Sequence, residues 1–399
     1  MATHYLHQTR KMRLHDEFKS VFNRAGFGAA ADFRPENRAG RLLMTNQSVE
    51  NQKGEIEFRK KLYQQQVEGK AIFDDEFDSA GIAQILRTRM KKTLSQMALL
   101  REKGITLSPY LEIGAERGQR SLVMENDLGL HGVAADISFD MLRSCDHYRE
   151  VLGQQKSPLR VCCDANNLPF ASGSIPFVFC YETLHHFPAP APITKEIHRV
   201  LLPGGCFFFD EEPFKQVLHV NLYQGKHVYS RKTLTRTTMR KVLDRFFCAK
   251  TCNEVEHGII EYHDIPIELW KEALAHFDDK DVELQVIGPI HSKLYKPSSY
   301  ARFFAAYLLG GNISGLCRKS GTRSGSNRDI PELMICPSCR EESNREVRLA
   351  QSNKAFLCPA CSKIYPVVDG VLFLLAYDRF RELYPDILNT LQKGKETPS

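Results

Sequence analysis

No run in this sequence approaches the ~20 apolar residues that a membrane-spanning helix needs. A helical membrane protein is thereby excluded as a reading. The first residues, MATHYLHQTRKMRLHDEF, lack an apolar core of signal-peptide length, so no secretory route is expected. Charge of one sign is scarce as well. A net charge of +6 over 399 residues is too slight to imply nucleic acid by itself. Cysteine is plentiful, at 12 residues, but it is unevenly spread. Cys145, Cys162, Cys163, Cys180, Cys206, Cys248, Cys252 and Cys317 lie mostly in apolar contexts and read as buried thiols. A cytoplasmic, reducing location is expected, where disulfides are not. What is present is ordinary for a globular chain, 42% hydrophobic and 26% charged. The length predicts two folded units with extensions.

The N-terminal part is weakly patterned. Gly26 to Asn51 is rich in Gly, Ala, Arg and Asn and reads as a loose extension. Glu55 to Phe77 looks helical and carries Phe58, Tyr63, Phe73 and Phe77. Ile82 to Lys103 reads as an amphipathic helix, with Ile82, Ile85, Leu86, Met90, Leu94, Met97 and Leu100 near helical spacing. Arg87, Arg89, Lys91 and Lys92 crowd its polar side and read as a solvated face.

The chain is organised around PYLEIGAERGQRS, Pro109 to Ser121. Tyr110 to Ile113 suits a buried parallel strand. Gly114 and Gly118 bracket a turn, and Gln119 to Leu128 can open a helix. Such a strand, turn and helix bring free backbone N–H groups to a ligand. Further strands are expected at Gly132 to Ala135, Leu159 to Cys163, Phe177 to Tyr181 and Gly204 to Asp210, with helices at Ser138 to Arg149 and Pro192 to Leu201. Alternating strands and helices predict a parallel α/β sheet. Its ligands would bind beyond the carboxyl ends of the strands, where Glu112, Asp136 and Asp164 fall. Asp136 lies 18 residues after Gly118, the spacing at which a carboxylate grips a ribose diol.

LEIGAERG, GVAADISFDML, DANNLPFASGSIPFVFCYETLHHF and HRVLLPGGCFFFDE resemble the class I S-adenosylmethionine-dependent methyltransferases. The likeness covers roughly residues 105–212 and is strongest to the ubiquinone and menaquinone biosynthesis C-methyltransferases. It implies a Rossmann-like sheet with helices on both faces. It also implies that Gly114 and Gly118 shape the loop under the methionine moiety and that Glu112 helps orient it. Asp136 would hold the ribose, and Asp164 with Ala165 would meet the adenine. One departure is Glu116, where the family often has glycine. An NAD site is the rival, and the LPF, LHHF and LLPGG runs argue against it. In CYETLHHF, the candidate proton acceptors are Glu182, His185 and His186. The Asn/Asp-Pro-Pro-Tyr signature of exocyclic-amine methyltransferases is missing.

Beyond Glu211, Lys226 to Lys250 holds eight basic residues and one acid, Asp244. Ile267 to Phe277 reads as a helix, with strands at Val282 to Ile287 and Ile313 to Arg318. Ser299 to Leu309 could line an apolar pocket or fill core. Lys319 to Asp329 reads as a linker. Cys336-x-x-Cys339, 18 residues, then Cys358-x-x-Cys361 predicts a structural zinc site. The following YPVVDGVLFLL resembles the zinc-ribbon activator subunit of eukaryotic tRNA, rRNA and release-factor methyltransferases. The run Val367, Val368, Val371, Leu372, Phe373, Leu374 and Leu375 is too apolar to be wholly exposed on so small a unit. Part of that run is expected to dock on the larger domain.

The expected organisation is an N-terminal extension (1–80), a methyltransferase domain (81–318), a linker (319–329), a zinc ribbon (330–378), and a closing helix with tail (379–399). The expected cofactors are S-adenosylmethionine and structural zinc. A small-molecule acceptor is the first expectation. RNA or a translation protein is the second, since wobble-uridine carboxyl methyltransferases also resemble this branch. A non-catalytic S-adenosylmethionine-binding scaffold is the third.

Overall fold

The computed structural model describes residues 38–69, 79–218, 220, 222–224, 246–249, 262, 265–286, 290–322, 329–352 and 355–393. Ser48 to Ser399 forms one compact unit and Met1 to Gln47 another. The expectation for Lys226 to Lys250 falls largely outside the described residues, as does Gly26 to Asn37, but Arg38 to Asn51, expected to be loose, is helical instead.

Two helices, Arg38–Val67 and Ser79–Glu102, precede the sheet. Its strands are β1 (Tyr110–Ile113), β2 (Gly132–Asp136), β3 (Leu159–Cys162), β4 (Ile175–Tyr181) and β5 (Leu201–Phe214). A separate two-stranded pair, β6 (Tyr223–Gln224) and β7 (Cys248–Ala249), follows. Then come β8 (Asp279–Gln285), β9 (His291–Lys293) and β10 (Gly311–Arg318). The C-terminal part adds β11 (Ala350–Ser352), β12 (Ala355–Leu357), β13 (Ile364–Val368) and β14 (Val371–Phe373). Twelve of these strands form one sheet in the order β11-β12-β13-β14-β3-β2-β1-β4-β5-β10-β8-β9. Strands β3-β2-β1-β4-β5 run parallel, and β10 returns antiparallel. This is a Rossmann-like α/β fold.

Side chains alternate across a strand, and both faces of this sheet are apolar. Leu111, Val178 and Phe207 join a core with Ile193 and Ile197 of helix Pro190–Val200. Tyr110, Phe177 and Phe179 pack instead against Met97 and Met124 on the opposite side. Burial on two faces explains why β1 and β4 read as continuous apolar runs.

Three expectations need amending in detail. The helix expected from Ser138 to Arg149 is broken into Phe139–Arg143 and Cys145–Val151. Ser144 stands at the break, and its hydroxyl donates back to Met141 O at 2.6 Å, a bond that competes with the helix ladder. Lys319, expected in a linker, is anchored. Its ammonium donates to His198 O at 2.7 Å and Leu201 O at 2.8 Å. Helix Tyr300–Leu309 buries only Ala306 fully and leaves Tyr300 72% exposed.

The C-terminal strands do not form a sheet of their own. β14 lies parallel to β3, pairing Val371, Leu372 and Phe373 with Arg160, Val161 and Cys162. An unpaired β3 would be an exposed edge, and this addition covers it. The register splits the apolar run. Leu372 and Leu374 join Cys336, Cys358 and Tyr365 in one core, while Val371, Phe373 and Leu375 pack with Phe139 and Leu142 in another. Both faces therefore pack on the large domain, one together with the cysteine segment and the other together with the C-terminal helices.

Candidate functional site

A cavity of about 520 Å³ opens at the carboxyl ends of β1, β2 and β4. Gly114, Asp136, Asp164, Ala165, Glu182, His185 and His186 all line it. The helices Arg38–Val67 and Ser79–Glu102 supply the opposite wall with Gln52, Phe58, Arg59, Ile85 and Arg89.

The turn after β1 is built for close approach. Gly114 has a left-handed φ of 68°, and a Cβ there would collide with Thr183 Oγ1. Only glycine meets both demands. Gly118, at φ 71°, starts helix Gln119–Asn126, and a Cβ there would lie 2.8 Å from Cys145 Sγ.

Glu112 does not line the cavity. Its side chain lies on the Tyr110 face, where Oε2 accepts from Ser121 N at 3.0 Å and Ser121 Oγ at 2.6 Å. It thus satisfies a free N–H in the first turn of that helix. Burial pushes its carboxyl up to about 7, against the downward pull of Arg120 and Ser121.

Asp136 ends β2 and faces the cavity. Its Oδ2 accepts from Glu116 N at 2.8 Å and its Oδ1 from Ser138 N at 2.8 Å. Burial raises it to about 6, while those two N–H groups favour the ionised form. Each oxygen keeps a further lone pair for a hydroxyl. Asp164 ends β3, and its Oδ1 accepts from Asn166 N at 2.8 Å and Asn166 Nδ2 at 2.9 Å.

Glu182 sits at the end of β4 with a left-handed φ of 49°. Arg89 Nη2 reaches it at 3.0 Å. His185 is buried, and its Nδ1 lies 2.9 Å from Glu212 Oε2. His186 Nδ1 is 4.0 Å from Glu55 Oε2.

Four residues at this site carried no functional reading in the sequence. Glu212 is fully buried and accepts from Thr183 N, Leu184 N and His185 N, at 2.7, 2.9 and 3.1 Å, besides the His185 ring. It lies 27 residues from His185 and reaches it because β5 runs beside β4. Arg89 and Lys92, read as solvated, instead turn to carboxylates. Arg89 Nη1 is 3.1 Å from Glu116, and Lys92 Nζ is 2.7 Å from Asp210 and 2.8 Å from Glu211. Their three-residue spacing puts them on one helix face, which was the available signal. Arg59 reaches Glu116 at 3.5 Å, and no pattern in the sequence pointed to it.

At the C-terminal end, Cys336, Cys339, Cys358 and Cys361 place their sulfurs within 4.8 Å of one another. Cys336 Sγ to Cys361 Sγ is 3.6 Å and Cys339 Sγ to Cys358 Sγ is 3.7 Å. The six other cysteines with described side chains are buried free thiols. Among the described residues no helix is long and apolar enough to cross a membrane.

Residues 111–209 match the family model described as a methyltransferase domain. An uncharacterized chloroplastic methyltransferase of Arabidopsis thaliana is 32% identical over 122 residues, 27% of this chain and 34% of that protein. The malonyl-acyl-carrier-protein O-methyltransferase of Legionella pneumophila is 26% identical over 125 residues, 28% of this chain and 43% of that enzyme. The chain thus spans well under half the length of these curated relatives. A solved Haloferax volcanii complex of the Trm112 methyltransferase activator with a methyltransferase is 17% identical, covers 60% of this chain and 95% of that one, and gives a TM-score of 0.34. Likeness at that level says nothing of what this chain binds. Residues 111–209, with the glycine turn and the strand-end carboxylates around one cavity, are a methyltransferase domain on a Rossmann-like α/β sheet.

Proposed function

We propose that this chain transfers the methyl group of S-adenosylmethionine to a small-molecule or metabolite-like acceptor. The carrying observation is that Gly114, Asp136 and Asp164, from the ends of three adjacent strands, line one cavity. The residues suit the cofactor. Gly114 lines the cavity with its left-handed turn packed against Thr183, and Asp136 has acceptor capacity for a ribose diol. Asp164 and Ala165 would meet the adenine. S-adenosylmethionine supplies a methyl group on a sulfonium, whose thioether leaves without protonation. The protein must position the acceptor and, where needed, hold its proton. Glu212 fixes the His185 ring through Nδ1. In that assigned tautomer the lone pair is on Nε2, so His185 is the candidate proton acceptor whose tautomer a neighbour sets. Glu182, in its ion pair with Arg89, and His186 are the others.

The test is incubation of the full chain with methyl-labelled S-adenosylmethionine and a panel of small acceptors, read by mass spectrometry. Label on a small molecule is the expected result. Cofactor binding without transfer would favour the scaffold reading. Absence of both binding and transfer would overturn the proposal.

A second reading is favoured by the cysteine segment. Here the acceptor is tRNA or a translation protein, and a zinc ribbon acts as a built-in activator. Tetrahedral zinc with bonds of about 2.3 Å sets its sulfurs about 3.8 Å apart, and the spacings of 3.6 and 3.7 Å fit. The four thiolates would hold the ion with no open position, so its contribution would be to folding. The strand β14 would carry that rigidity to β3. Label appearing on RNA or on a protein, with steep salt dependence of RNA binding, would select this reading.

A further inference from the structure

Glu116 is an anomaly in the glycine turn. Its φ is 51°, a left-handed conformation that costs a non-glycine residue on the order of 1–3 kcal/mol. A glycine would sit there unstrained. The side chain shows what holds it. Arg89 Nη1 lies 3.1 Å from Oε2, Arg59 Nη1 lies 3.5 Å from Oε1, and Arg117 Nη1 pairs closely with Oε1. The three guanidiniums come from helix Ser79–Glu102, from helix Arg38–Val67 and from the turn itself. All three residues line the cavity, as does Glu116. Burial pushes the Glu116 carboxyl up, but Arg117, Arg89 and Arg59 hold it well below the usual carboxylate range.

Two buried donors lie in the cage or beside it. Arg117 and Arg120 are 6% and 4% exposed, both line the cavity, and the Nε of each is buried with no hydrogen-bond partner. The cage also adjoins the ribose carboxylate, because Glu116 N donates to Asp136 Oδ2 at 2.8 Å. A ligand whose ribose sits on Asp136 would therefore extend an amino-acid tail toward these arginines.

We propose that this arginine cage is the site for the carboxylate of the cofactor's amino-acid end, and that Glu116 is a tethered carboxylate that occupies it until the cofactor displaces it. The proposal rests on the cofactor reading above. Glu116 is then a specificity-determining residue. It competes with any ligand bearing a carboxylate and is indifferent to an adenosine thioether that lacks one.

Calorimetry on the full chain with two probes tests this. S-adenosylhomocysteine carries the amino-acid carboxylate, and 5′-methylthioadenosine does not. Glu116→Gln removes the tethered charge and keeps the shape. Glu116→Gly also relieves the left-handed strain and guards against a misfolded first variant. Thermal melts show that each variant is folded. The expected result is about tenfold or more tighter S-adenosylhomocysteine binding in both variants, with 5′-methylthioadenosine changed less than about twofold. An equal shift for both probes would show that Glu116 only shapes the turn. Weaker S-adenosylhomocysteine binding would show that it supports the cage. Either outcome overturns the inference and leaves the cofactor reading standing. A wild-type chain that binds neither probe overturns both.

Discussion

At the centre of the sheet, β1 and β4 are buried along their whole length. At its far C-terminal edge, Ala350 to Ser352 of β11 is fully exposed. The centre is held by apolar burial on two faces, where Tyr110, Leu111, Phe177, Phe179 and Phe207 are wholly excluded from solvent. The C-terminal end also buries apolar side chains, Tyr365, Phe373 and Phe380 among them, but in cores it shares with the large domain. It adds four clustered sulfurs, a buried hydroxyl pair of Tyr365 and Ser338 at 3.0 Å, and the junction of β14 with β3. Two sources of stability thus meet in one sheet, and they should fail under different insults.

The largest expected effect comes from removing the proposed metal. Cys358→Ser should abolish zinc in metal analysis. Because β14 fills cores on both sides, loss should spread past residues 330–378 to the β3 edge. We expect roughly 3 kcal/mol or more, read as a fall in melting temperature of about 5–10 °C. Hydrogen exchange should show β3 opening with the segment. Protection retained throughout β3 would separate the two regions.

Phe373→Ala strikes the junction without touching the sulfurs. Phe373 is fully buried, with ring centroids 5.1 Å from Phe139, 5.1 Å from Phe380 and 5.3 Å from Tyr384. A cost of about 3–5 kcal/mol is expected in denaturant unfolding, with zinc retained. Loss of zinc at full stability of the remainder would reverse the proposed direction of support.

A pH effect is expected at the centre, where burial raises both Glu112 and Asp136. Glu112 titrates near 7 in the fold against 4.5 as its ordinary value. The folded state therefore holds the extra proton between those values, and stability should fall as pH rises through that window. The share of one such group in the slope has a ceiling of about 1.4 kcal/mol per pH unit, and Glu112→Gln should remove its share. An unchanged slope in that variant would place the titration elsewhere.

The smallest effect is on binding alone. Asp136→Ala should weaken S-adenosylmethionine binding about tenfold, near 1.4 kcal/mol, in calorimetry, with folding intact. Unchanged affinity would remove Asp136 from the ribose role.

The sequence placed β1 at its observed bounds and β2, β3 and β4 within two residues. Buried parallel strands leave continuous apolar runs between glycines and polar strand ends, and that signal is local. It also singled out Asp136, Asp164 and the four clustered cysteines, since turns and metal knuckles need fixed residues at fixed spacing. The one closing helix expected in 379–399 is instead two, Tyr377–Leu383 and Pro385–Lys393, because proline cannot continue the preceding ladder.

Tertiary structure alone decided which partner each of these groups meets. Periodicity put Arg89 and Lys92 on one helix face, but only the packing of that helix over the strand ends turned the face to Glu116, Glu182 and Asp210. Glu112 lay at the expected strand end, yet the pleat turned it toward Ser121 and away from the cavity. Glu212 met His185 because neighbouring strands bring residues 27 positions apart into one hydrogen bond. The run from Val367 to Leu375 was visibly too apolar to be wholly exposed, and the open edge of β3 determined that Val371 to Leu375 is buried while Val367 stays 40% exposed. Local pattern fixes which residues must be buried, turned or paired. The partner is set by contacts between segments far apart in the chain, and these leave no periodic trace in the sequence.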